Sequence, residues 1–119
     1  VSDEGAALTY QACAGCGARW WFRRERCPTC GRAGPLDRAS AGEGTVEAVT
    51  VVHRPPSDDW RPYAPYALVL VWLDEEFRAM GLADRGLAIG ERVTARSAVR
   101  AGNRVPVFGR LGTSAPVIR

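Results

Sequence analysis

The residues best able to do chemistry are four cysteines within 18 positions: Cys13-Ala-Gly-Cys16, ten intervening residues, then Cys27-Pro-Thr-Cys30. Each CxxC turn points two sulfurs at a common centre, and a hairpin of that length brings the second turn back to complete a tetrahedral S4 site. Gly17 and Gly31 follow the two pairs. A residue there often takes positive φ, which glycine does without steric cost, and nearby N–H groups can then face the thiolates. Pro28 stiffens the second turn. The competing readings are two disulfides or a redox CxxC. The acidic start, Val1-Ser2-Asp3-Glu4-Gly5, has no basic or apolar signal region, so a reducing, cytoplasmic setting is expected and disulfides are disfavoured. A redox motif would be single and would open a helix. The expectation is one structural metal on Cys13, Cys16, Cys27 and Cys30, zinc ahead of iron, with no coordination position left for catalysis.

Little else in the chain offers catalysis. All 16 basic residues are arginine, and the absence of lysine excludes P-loop, Schiff-base, and biotinyl or lipoyl carrier chemistry. The one histidine, His53, has no evident nucleophile partner, and Asp58-Asp59 and Asp74-Glu75-Glu76 read as solvated turns. GxSxG, HExxH and glycine-rich nucleotide motifs are missing. The chain by itself is therefore expected not to be an enzyme.

Binding residues are better represented. Between the cysteine pairs, Arg19-Trp20-Trp21-Phe22-Arg23-Arg24 has the composition of a stacking platform, or of an apolar cover and docking surface for the small metal site. The segment Pro55 to Pro65 holds four prolines with Trp60, Arg61 and Tyr63. It reads as an extended, stiff loop rich in interface residue types, or as a loop packed on its own domain. Arg92, Arg96 and Arg100 share one strand face with neighbours about 13 Å apart, suited to phosphate or carboxylate partners or simply solvated.

These residues need a β scaffold. The chain of 119 residues is long enough for one domain or two small modules. Its longest aliphatic and Trp run, Ala67 to Leu73, is far short of the roughly 20 residues of a membrane span. Strands are expected over Thr45 to Arg54, Tyr66 to Leu73, Phe77 to Leu82, Arg92 to Arg100 and Arg104 to Leu111. Tyr66 to Leu73 reads as a central strand, and Pro106 places the last one at an edge or bulge. The expected fold is mainly β, a rubredoxin-like zinc ribbon followed by a five-stranded OB-fold barrel. Its divisions are an arm (1–9), the ribbon (10–36), a linker (37–41), the barrel (42–111) and a tail (112–119). The absence of an initiator Met suggests a domain excised from a longer chain.

Several motifs together carry a resemblance. They are the CxxCG and CPxCG ribbon, Gly42-Glu43-Gly44-Thr45-Val46, the strand end Thr50 to Pro56, Pro65-Tyr66-Ala67-Leu68-Val69, and Val105-Pro106-Val107-Phe108. Over roughly residues 8 to 111 the chain resembles the acyl-CoA-associated OB-fold proteins with an N-terminal zinc ribbon, domain of unknown function thirty-five. The resemblance implies an accessory role beside thiolases, thiolase-like aldolases or MaoC-type enoyl-CoA hydratases. In the steroid side-chain branch it implies a domain that follows a hydratase and pairs with a thiolase homologue to form a retro-aldolase. Members often carry helices before the ribbon that help dock the partner. Here only nine residues precede Tyr10, which shifts weight onto the aromatic loop.

The leading expectation is thus a non-catalytic subunit that stabilises or activates a thiolase-superfamily enzyme acting on acyl-CoA. A single-stranded nucleic-acid binder is the alternative, and a rubredoxin-like electron carrier the third. Charge disfavours the alternative: the formal +3 falls to about +1 once four thiolates and a divalent ion are counted, and basic and acidic residues are interspersed.

Overall fold

The computed structural model describes residues 8–84 and 86–111. A three-stranded antiparallel sheet comes first, built from β1 (Leu8–Ala12), β2 (Arg19–Trp20) and β3 (Leu36–Ser40) in the order β2-β1-β3. A closed barrel follows, of β4 (Glu43–Val52), β5 (Tyr66–Leu73), β6 (Arg78–Ala83), β7 (Arg92–Arg100) and β8 (Asn103–Arg110), ordered β4-β5-β6-β8-β7. All barrel neighbours are antiparallel except β6 and β8, and β4 closes on β7 through Glu43–Thr94, Gly44–Val93 and Thr45–Arg92. This is the five-stranded OB-fold.

The barrel closes because β4 bends. Its register with β5 shifts between Val46 and Ala48, leaving Glu47 as the extra residue of a bulge. Before the bulge Val46 is buried; beyond it Val49 and Val51 face outward, exposed. Two glycines allow close approach. A Cβ on Gly44 would run into the Trp72 carbonyl oxygen, and one on Gly81 would lie 2.7 Å from that of Pro106. The Gly44 of the Gly42-Glu43-Gly44 opening thus lets β4 lie against β5. β8 meets β6 only at Leu82–Val107 and Ala83–Phe108, so Pro106 stands at the margin of that ladder.

Ribbon and barrel share one core. Leu8, Tyr10 and Ala12 of β1 join Val46, Val69, Val71, Leu73, Phe77, Ala79, Val93 and Phe108 in a single buried cluster. Tyr10 stacks on Phe77 with centroids 4.5 Å apart and planes inclined 18°. Glu75 ties the joint: its carboxylate accepts hydrogen bonds from the Ser40 hydroxyl (2.8 Å) and the Ala41 N–H (2.9 Å).

Three expectations change. The 37–41 segment is not a linker: residues 36–40 form β3, paired with β1 from Leu8–Ser40 to Ala12–Leu36. Its small and charged residues hid the strand because four of its five positions are exposed. Leu8 and Thr9 likewise belong to β1 rather than to an arm; residues 1–7 and the expected tail, 112–119, lie outside the described residues. The proline-rich loop is not extended, since a 3-10 helix spans Asp58–Tyr63. The two acidic residues form its first turn, and Pro62 sits inside it. β5 is central in pairing, and on its outer face Leu68 and Leu70 are half-buried while Trp72 is exposed.

Candidate metal centre and docking face

Two matching knuckles build the cysteine site. In each, the first cysteine's carbonyl accepts an N–H from the residue after the second: Gly17 to Cys13 at 3.0 Å and Gly31 to Cys27 at 2.9 Å. Each first cysteine also donates its own N–H across the turn, Cys13 to Ala18 and Cys27 to Arg32, both at 2.9 Å. Gly17 and Gly31 have φ of +81° and +82° with open space where a Cβ would stand, so conformation alone demands glycine.

The four sulfurs lie within 4.8 Å of one another, with Cys13–Cys30 and Cys16–Cys27 at 3.6 Å. Metal–sulfur bonds of about 2.3 Å in a tetrahedron require sulfurs about 3.8 Å apart, so these residues fit a four-thiolate ion. A disulfide needs about 2.05 Å, and all four cysteines are free. N–H groups already face the sulfurs: Cys16 N to Cys13 Sγ at 3.5 Å, and Thr29 N and Cys30 N to Cys27 Sγ at 3.3 and 3.4 Å. Burial pushes the Cys27 thiol up, but the Cys30 and Thr29 N–H groups and the neighbouring sulfurs outweigh it and bring it to about 6. The Cys16 N–H chiefly lowers Cys13. The Ala18 N–H favours the Cys16 thiolate, yet competition from Cys27 and burial push that thiol up to about 11. Within the Cys16–Cys27 pair one sulfur thus ionises readily and the other resists; a cation between them removes the conflict.

Gln11 of β1 organises the ribbon. Buried, it accepts hydrogen bonds at Oε1 from Trp20 Nε1 (2.8 Å) and the Arg24 N–H (2.7 Å), and its Nε2 donates to Asp37 Oδ1 at 3.4 Å. No spacing rule marks such a glutamine in the sequence. It holds the aromatic triplet in place: Trp20 and Trp21 are half-buried, whereas Phe22 is 69% exposed and tilted against Trp21 at 5.0 Å. The triplet and the outer face of β5 and β6 enclose a cleft of about 410 Å³, lined by Trp20, Trp21, Phe22, Trp72, Arg78 and Met80 among others. Arg78 lies 5.2 Å over the Trp72 ring and donates to Glu47 at 2.6 Å. Arg19 donates to the Glu75 carbonyl at 2.6 Å and lies 3.6 Å from the Glu76 carboxylate.

The other candidates divide. Trp60 packs between Tyr63 and Tyr66 of its own module, at 5.6 and 5.3 Å, and Arg61 pairs with Asp58 at 2.7 Å. The Tyr63 hydroxyl accepts the Ala101 N–H at 3.2 Å, linking the loop to the β7–β8 turn. The arginine row does not act as one surface. Arg92 forks onto Asp74 at 2.8 and 2.7 Å, and Arg96 onto Asp84 at 3.1 and 3.0 Å. Among the described residues Arg100 bonds only the Val99 carbonyl, and it joins Tyr63, Tyr66, Leu82 and Val107 around a second groove of about 560 Å³. His53 is exposed just beyond β4.

Comparison with known proteins adds a lineage. Residues 37–107 match the family model of the ChsH2 C-terminal OB-fold domain. A DUF35 domain-containing scaffold protein of Methanothermobacter thermautotrophicus is 33% identical over 72 residues, covering 60% of this chain and 53% of that one. Its counterpart in Methanocaldococcus jannaschii is 34% identical over 70 residues, covering 58% and 49%. The chain spans about half the length of these curated relatives. Among solved structures, the Ltp2-ChsH2(DUF35) aldolase superposes with a TM-score of 0.70 at 29% identity, over 87% of this chain and 84% of that chain. A DUF35-family protein of unknown function from Sulfolobus solfataricus has the same fold, with a TM-score of 0.56 at 12% identity over 87% and 75%. Matched barrel, ribbon cysteines and relatives agree: the chain belongs to the DUF35 family, in the group of the ChsH2 C-terminal OB-fold domain.

Proposed function

We propose that this chain is a scaffold module that binds a thiolase-superfamily enzyme, an aldolase or thiolase acting on acyl-CoA, and stabilises or activates it without contributing catalytic groups. The observation that carries this reading is the likeness to the Ltp2-ChsH2(DUF35) aldolase. It extends over a share of the chain larger than the barrel alone and so takes in the ribbon. The scaffold names of the two archaeal relatives support the same role. So does the chemistry of the side chains. Asp74, Asp84, Glu91, Glu47, Asp37 and Asp58 each face an arginine, which suits carboxylates that hold the fold rather than ones that move protons.

The ion of the ribbon is zinc in this reading, bound by Cys13, Cys16, Cys27 and Cys30. Four thiolates fill a tetrahedron, so the metal would supply folding free energy and leave no position for substrate or water. A steroidal acyl-CoA as the partner's substrate, a MaoC-type hydratase in the same assembly and a cytoplasmic setting complete the proposal. No helix among the described residues is long and apolar enough to cross a membrane.

Co-expression with the thiolase-like aldolase of the source organism tests the role. A complex that survives purification and cleaves β-hydroxyacyl-CoA faster than the enzyme alone is expected. Salt-sensitive, sub-micromolar binding of single-stranded oligonucleotides in its place would overturn the reading. Metal analysis of the same preparation should give one zinc per chain and a colourless protein; a red protein with one iron would replace zinc.

A further inference from the structure

The scaffold reading leaves open which face meets the enzyme. Exposed large apolar side chains on the described surface include Leu36, Val49, Val51, Ile89 and Val99, but those that line the cleft are Phe22, Trp72 and Met80. They come from both modules and are gathered by the fold: Phe22 follows the first ribbon hairpin, Trp72 lies on β5 and Met80 on β6. With half-buried Trp20 and Trp21 behind them, the cleft has the Trp, Phe, Met and Arg composition of a protein-interface centre, and its position against the shared core makes it pre-formed.

Charge decides between occupants. Arg19 and Arg78 on its wall are held by Glu76 and Glu47, and Glu76 itself lines the cleft. A polyphosphate or nucleic-acid backbone would meet those carboxylates and find too few uncommitted cations. Arg24 also lines the cleft, and its guanidinium contacts no carboxylate among the described residues. One free guanidinium beside an aromatic slot fits an apolar side chain followed closely by a single carboxylate.

We propose that the aromatic cleft at the ribbon–barrel seam is the docking site for the partner enzyme, and that it takes a segment of that enzyme bearing an apolar anchor and an Asp or Glu for Arg24. This rests on the scaffold reading. It also gives the metal a role at a distance, because the ion fixes the hairpin from which Trp20, Trp21 and Phe22 project.

The test is a binding titration of the full, metal-loaded chain against the thiolase-like aldolase of the source organism. Phe22→Asp and Met80→Asp should each weaken binding at least about tenfold, and Arg24→Glu by about tenfold with a shallower salt dependence. Ile89→Asp, exposed outside the cleft, should bind as the wild type does. Metal content and thermal melts matching the wild type establish that the variants are folded. Wild-type association with unchanged cleft variants overturns the docking site and leaves the scaffold role standing. If the wild type itself does not associate, both fail. Cleft variants that abolish self-association or oligonucleotide binding, yet leave enzyme binding intact, overturn the proposed occupant.

Discussion

Removing the Phe77 ring should loosen ribbon and barrel together. Phe77 is 1% exposed and stacks on Tyr10 at 4.5 Å, so Phe77→Ala removes the main aromatic contact between the modules and opens a cavity beneath β1. Truncation of a buried phenylalanine costs about 3–5 kcal/mol, of which the aromatic stack itself accounts for about 0.5–1.5 kcal/mol. Against a total stability of about 5–15 kcal/mol, this is a large share. Urea unfolding of the metal-loaded protein measures it with two probes, intrinsic tryptophan fluorescence and the reactivity of the ribbon thiols. Both should move to lower urea by the same free energy, because Leu8, Tyr10 and Ala12 lie in the barrel's own core. A double-mutant cycle with Tyr10→Ala should return a coupling of about 0.5–1.5 kcal/mol. A loss under about 1 kcal/mol, or thiols that keep wild-type protection while the barrel unfolds earlier, would refute the single-core reasoning.

Other perturbations have equally definite outcomes. Gly44→Ala would drive a Cβ into the Trp72 carbonyl oxygen and the Leu73 Cα, so denaturant unfolding should show a loss of about 1–3 kcal/mol; an unchanged midpoint contradicts the close approach of β4 and β5. Cys30→Ser should remove the bound metal, as measured by elemental analysis, and lower the melting temperature of the whole chain rather than of a ribbon fraction. The Arg92 guanidinium holds the Asp74 carboxyl below its ordinary value of 3.8. A depressed folded-state value means that the stabilisation is complete above the unfolded value and is lost as pH falls through the folded one. The stability difference between wild type and Asp74→Asn should therefore be constant at neutral pH and shrink below pH 3.8. A difference that persists undiminished in stronger acid would assign it to something other than this ion pair.

The cysteine cluster was legible because its chemistry is local. Two CxxC turns and the glycines after them fix sulfur positions through short-range backbone geometry, and the observed φ at Gly17 and Gly31 follows from the same constraint. The barrel strands were legible wherever alternation met burial, as at Val69, Val71 and Leu73. β3 was not, because residues 36–40 bury only Ser40 and exist as a strand through pairing with β1. The Glu47 bulge escaped for a related reason: one extra residue turns the valines after it outward without changing composition. In the proline-rich loop, Asp58 and Asp59 start a turn that the spacing of the prolines concealed. The arginine row is regular in sequence, but Asp74 and Asp84, brought near by other strands, take Arg92 and Arg96. Trp20 and Trp21 do line a cleft, yet its opposite wall comes from β5 and β6 and is visible only in the fold.

The proposed scaffold role is tested most directly by titrating the purified, metal-loaded chain into the purified thiolase-like aldolase of the source organism while following cleavage of a β-hydroxyacyl-CoA. The account predicts a rate that rises and then saturates at a fixed ratio of the two chains, with the endpoint matching the composition of the isolated complex. A rate that is already maximal without this chain and does not respond to its addition would contradict it.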